Sequence, residues 1–174
     1  TVLSRGLGDV YKRQPQQDAK PKEKNLNILE GKDKKEFLKG AEIAYESILT
    51  SFAAGDLIKL KALLSANMFS NFSEAIKSRN KNNIKSEFTF IGVKESSVEK
   101  YEKIKDNLFA TVKFVAEVIS VKRDKDNKII EGNPDKIKFV TDSWKFTKNI
   151  NNKSPNWYLS EIISQWLKRR FFPK

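Results

Sequence analysis

An α+β domain is what this sequence predicts, with helices first and a curved antiparallel sheet of about four strands after them, the helices lying on one face of the sheet. Three observations carry that expectation. Apolar residues recur at helical spacing from Phe37 to Phe52, the spacing changes to two from Ile84 onward, and polar turn clusters divide the second half into consecutive short runs.

In the first helix Phe37, Ala41, Ala44, Tyr45, Ile48 and Phe52 fall on one side, which makes an amphipathic element about four turns long. Gly55 follows where a helix ends in the left-handed conformation, and Asp56 can accept from the free amides that open a second helix, Leu57 to Leu64. Ser65 is placed to cap a third helix, on which Met68, Phe69, Phe72 and Ile76 share a face before the polar run SRNKNN ends it.

The strands begin with Phe88 to Val93. In the next, Leu108, Ala110, Val112, Phe114, Ala116 and Val118 alternate with Thr111, Lys113 and Glu117, so one side is buried and the other mixed. RDKDNK marks a turn, Ile129 and Ile130 a short return, and Gly132-Asn133-Pro134-Asp135 a second turn. Ile137 to Phe146 and Asn156 to Trp166 read as the last two strands.

The folded domain is expected over residues 34–167. Residues 15–33, rich in Pro, Gln, Asn and Lys, cannot offset their ordering entropy by burial and read as a flexible basic linker. The opening TVLSRGLGDVYKRQ, residues 1–14, reads as a non-native translated adapter and is kept out of the fold. Residues 168–174 form a basic-aromatic tail.

Composition narrows the chemistry. There is no cysteine, hence no disulfide or thiolate chemistry, and no histidine, which removes the commonest general base and zinc ligand. Thirty-four Lys and Arg against 22 Asp and Glu give a formal charge of +12, a field that suits phosphate-rich surfaces. Arginine occurs only at Arg5, Arg13, Arg79, Arg123, Arg169 and Arg170, so the planar fork that reads phosphate and guanine is scarce and nucleic acid is not the expected partner. No phosphate loop, nucleophile elbow or metal-ligand spacing is present, and neither a metal nor a cofactor is expected.

The run FLKGAEIAYESILTSFAAGDLIKLKALLS, Phe37 to Ser65, carries a resemblance, joined at the expected distances by Phe88 to Val93, Phe114 to Ile119, EGNPDKIKFVTDSWKF and SPNWYLSEI. From Lys34 to Trp166 the chain resembles the C-terminal domain family of the mitochondrial inner-membrane import scaffold, subunit forty-four of that translocase, and its alphaproteobacterial relatives. The resemblance implies a cone with an apolar pocket, like that of nuclear transport factor two. It also implies a non-enzymatic scaffold at an inner membrane, anchored by an upstream segment or peripheral. Its implied partners are an anionic, cardiolipin-like lipid surface, a translocating or nascent polypeptide, translocase components and the heat-shock-seventy motor.

Candidate site residues follow. For a membrane surface the resemblance implies Phe37, Ala41, Tyr45 and Ile48 on the first helix, and the tail adds Trp166, Lys168, Arg169, Arg170 and Phe171, where cations and rings combine as at a headgroup interface. For an apolar pocket they are Phe52, Phe69, Phe72, Phe114, Val118, Phe139 and Trp144, for each of which ordinary core is the competing reading. Asp142 shares parity with Val140, Trp144 and Phe146 and can point inward, either as a structural acceptor or as the base of an isomerase-like cone enzyme. Glu117 lies on the opposite face and is expected to meet solvent or a cross-strand lysine. A ribosome- or RNA-binding module is the third reading, and it lacks the aromatic and arginine platform such binding uses.

Overall fold

A computed structural model describes residues 25–164. Three helices come first: α1 (Gly31–Ala54), α2 (Leu57–Leu63) and α3 (Ala66–Lys81). Five strands follow: β1 (Lys85–Ile104), β2 (Asn107–Arg123), β3 (Ile129–Gly132), β4 (Lys138–Asn149) and β5 (Tyr158–Ile162). All pair antiparallel in one open sheet of order β1-β2-β4-β5, with β3 beside the end of β2. This is the α+β arrangement the sequence predicts.

Local chemistry sets the helical corner. Gly55 adopts φ 73°, its N–H donates to the Phe52 carbonyl at 3.2 Å, and the Asp56 N–H donates to the Ser51 carbonyl at 2.9 Å, which closes α1. The Asp56 carboxylate then accepts from the Lys59 N–H at 3.1 Å to open α2, and Ser65 Oγ accepts from the Met68 N–H at 3.4 Å to open α3. Between those two helices the Ser65 N–H donates to the Leu159 carbonyl at 2.9 Å, which ties the corner to β5.

The sheet turns its alternate residues onto the helices. On β2 the alternate buried positions are Leu108, Ala110, Val112, Phe114, Ala116 and Val118, with Thr111, Ser120 and Val121 buried besides; on β4 they are Val140, Asp142, Trp144 and Phe146. Register joins the two sets, with Val112 opposite Trp144, Phe114 opposite Asp142 and Ala116 opposite Val140. Tyr45 of α1 stacks on Phe114 at 4.4 Å between ring centroids and lies 4.5 Å from Trp144, while Phe52 meets Phe72 edge-on at 4.9 Å.

Two strands differ from the sequence reading. β1 runs 20 residues rather than the six of Phe88 to Val93, because pairing with β2 continues past three register shifts, at Phe90/Gly92, Val93/Glu95 and Val98/Lys100. Each shift inserts an unpaired residue, bends the strand and resets which side chains face the helices, so no single alternation survives along it. β5 spans only Tyr158–Ile162, shorter than Asn156 to Trp166. α1 also starts at Gly31, ahead of Phe37.

Candidate functional site

A cleft of about 670 Å³ opens along the N-terminal half of α1. Phe37, Gly40, Ala41, Ile43 and Ala44 come to it from α1, and Leu63 from α2. Tyr101 of β1, Leu108 of β2, Phe146 of β4 and Trp157 before β5 close the far wall. Each arrives by its own local rule. Phe37, Ala41 and Ala44 are i, i+4 and i+7 on one helix face. Leu108 and Phe146 lie on the helix-facing side of β2 and β4, since Leu108 pairs with Lys148 and Ala110 with Phe146.

The floor is aromatic and apolar. Phe37 packs edge-on against Trp157 at 4.8 Å and Phe146 at 6.5 Å, and Tyr101 lies 6.5 Å from Trp157. The rim is mixed: Asp33 and Glu36 come from the start of α1 and Lys148 from β4. Burial, and then the charge of Asp33, raise the Tyr101 hydroxyl pKa above its ordinary value, so it stays protonated as a hydrogen-bond donor. Ile43 is 60% exposed at the mouth.

One side of the cleft is formed by the residues ahead of α1. Leu26, Ile28 and Leu29 line it, and the Leu26 carbonyl accepts from the Tyr101 hydroxyl at 3.1 Å. The sequence reading assigns this stretch to a flexible linker, and only its three apolar residues within KNLNILEGK hint otherwise.

The predicted site residues separate into five groups. Phe37 and Ala41 line the cleft. Tyr45 and Ile48, expected at a membrane surface, are instead fully buried against the sheet, because the stripe that would meet lipid is the one that covers the core. Phe52, Phe72, Phe114, Val118 and Trp144, expected around a pocket, are packed on one another with no more than 2% exposure, and Phe69 is half-buried against the same cluster. Phe139 corrects the reading outright: it is 64% exposed, since alternation along β4 places it with Thr141 on the face away from the helices. Trp166, Lys168, Arg169, Arg170 and Phe171 lie outside the described residues. None of the seven predicted pocket residues lines the cleft.

Asp142 points inward and is fully buried. Its carboxylate accepts from the Tyr45 hydroxyl at 2.6 Å and from Ser164 Oγ at 2.8 Å. Burial raises its pKa, against the two hydrogen bonds, which pull it down, and burial beside that carboxylate raises Tyr45 as well. Asp142 does not reach the cleft, and no group of His, Cys, Asp or Glu able to hold a metal ion occurs among the described residues. Its geometry is that of a clamp joining α1, β4 and the chain leaving β5. Glu117, on the outer face, pairs with Lys94 at 3.1 Å.

The described residues form an open-sheet α+β domain with an apolar cleft along α1. The chain belongs to the Tim44-like domain family, which matches residues 26–164. In general terms that family comprises non-catalytic, translocation-associated scaffolds of the inner membrane that interact with translocase components and polypeptides. No helix among the described residues is long and apolar enough to cross a membrane. Curated proteins give no match. The crystal structure of the intermembrane space region of the chloroplast protein ARC6 is similar at 13% identity and a TM-score of 0.49, over 71% of this chain and 92% of that one.

Proposed function

We propose that this domain is a non-enzymatic scaffold docked on an anionic inner-membrane surface, where the α1 cleft holds an apolar segment of a translocating or newly made polypeptide. The observation that carries the reading is the cleft itself: about 670 Å³, floored by Phe37, Phe146 and Trp157, with Ile43 exposed at its mouth. A side chain such as Leu or Phe gains roughly 1.5–3 kcal/mol on full burial, so two or three entering together give weak, sequence-tolerant binding suited to a moving chain.

Docking on anionic lipid is supported by α2. Ile58 is 87% exposed in its first turn, and Lys59 and Lys61 flank it on a chain of charge +12. An apolar side chain between cations combines insertion with headgroup attraction.

Vesicle co-sedimentation tests the docking half. The protein should pellet with cardiolipin-containing vesicles and not with neutral ones, keeping part of its binding at moderate salt, and Ile58→Asp should remove that salt-resistant part. Equal partition of wild type and variant at every salt would refute a role for this face.

A further inference from the structure

The segment ahead of α1 forms one side of the cleft and turns apolar side chains toward it. Leu26, Ile28 and Leu29 all line the cavity, with Leu26 and Leu29 half-buried, so apolar side chains two and three residues apart are presented from one short non-helical stretch. Its backbone is held by little. The Ile28 N–H donates to the Asn25 carbonyl at 3.3 Å and the Asn27 N–H to Asn25 Oδ1 at 3.0 Å, both within the segment. The hydrogen bond from the sheet is the Tyr101 hydroxyl on the Leu26 carbonyl. Among the described residues no strand pairs with it, Glu30 gives α1 no side-chain cap, and Gly31 turns the chain into the helix at φ 57° with nothing within 4 Å of where a Cβ would stand. A segment with few buried contacts and a glycine hinge has the properties of a low-stability unit that opens on its own.

We infer that Asn25–Glu30 is a resident strap that covers one side of the cleft and holds Tyr101, and that it is displaced by an incoming extended segment of polypeptide with the same chemistry: closely spaced Leu or Ile side chains and a backbone carbonyl for Tyr101. This rests on the polypeptide reading proposed above and adds its regulation. Because the strap is tethered to α1 it competes at high effective concentration, so the apparent affinity for an outside chain falls in proportion to the fraction of molecules with the strap seated.

The test uses the full chain and a Leu26→Ser, Leu29→Ser double variant, with reduced, carboxymethylated lactalbumin as a permanently unfolded probe and a dye-labelled synthetic peptide of residues 25–31 as a second. Both substitutions fall at half-exposed positions outside the core cluster, so the melting transition should be retained. The double variant should bind both probes about tenfold more tightly than wild type. In wild type, saturation with the unfolded probe should accelerate hydrogen exchange of the strap amides.

Binding that is unchanged or weakened in the double variant, or strap amides that gain protection when probe binds, would overturn the strap as competitor and make it a wall of the site, while leaving the polypeptide reading intact. Absence of binding to either protein would overturn that reading and this inference together.

Discussion

The two halves of α1 carry the same apolar periodicity and meet different surroundings. Toward its C-terminus, Tyr45, Ile48, Leu49 and Phe52 are at most 2% exposed, enclosed by the sheet and by α2 and α3. Toward its N-terminus, Phe37 and Ala44 continue the stripe yet are only half-buried, and the neighbouring Gly40 and Ile43 are exposed along the cleft. Periodicity reports which face of a helix turns inward. It does not report whether the space there is filled, because the filling comes from Leu63, Tyr101, Phe146 and Trp157, which are remote in sequence.

The difference has measurable consequences. On the filled side, Trp144→Ala should cost about 3–5 kcal/mol by leaving a cavity among Tyr45, Phe114 and Phe146, read by denaturant unfolding. On the cleft side, Phe37→Ala removes a half-buried ring and should cost only about 1–2 kcal/mol. Equal costs would mean that the two halves are packed alike.

Backbone demands are next in size. Gly132 sits at φ 87°, and a Cβ there would stand 1.9 Å from the Ser120 carbonyl oxygen, so Gly132→Ala must shift the β2–β3 pairing. A loss of about 1–3 kcal/mol is expected from conformation alone, seen as a lower melting temperature. It should leave cleft binding intact, since Gly132 does not line the cleft.

The Asp142 clamp should give an effect of similar size that depends on pH. Burial raises its pKa above the ordinary value of 3.8, so in the window between that value and the raised one the folded protein holds a proton the unfolded chain has released. Stability should therefore be fullest below about pH 4 and decline as pH rises through the window. Asp142→Asn keeps an acceptor for the Tyr45 hydroxyl and should remove that decline in melts run from low to neutral pH. Asp142→Ala leaves the hydroxyl without its acceptor and should cost about 1–3 kcal/mol.

Much of the helical half was legible because its rules are local. Gly55, Asp56 and Ser65 act on neighbours one to four residues away, and the structure places each of them at the helix end the sequence assigns. β2 was equally plain, as Leu108, Ala110, Val112, Phe114, Ala116 and Val118 recur at every second position and are all buried. β1 was not: its second half, KESSVEKYEKI, is charged, and three register shifts scramble any period-two signal. The cleft was least legible. In sequence Phe37 reads as a membrane-facing residue and Phe146 and Trp157 as strand residues, and only the β2–β4 register and the position of Trp157 before β5 bring them and Tyr101 together. The expectation of a pocket around Phe114 and Trp144 failed for a related reason. Tyr45 reaches across from α1 and fills that space with its own ring.

The smallest effect on stability accompanies the most direct test. Gly40 lies inside α1 beside the cleft, with nothing within 4 Å of a built Cβ. Gly40→Ala should stabilise the protein by about 0.5–1 kcal/mol through helix propensity. Gly40→Leu should keep the fold and fill the cleft. The deciding measurement is titration of reduced, carboxymethylated lactalbumin into wild type and Gly40→Leu. Binding by wild type that falls at least tenfold in the stable variant is the expected result, and equal binding by both would contradict the cleft as the polypeptide site.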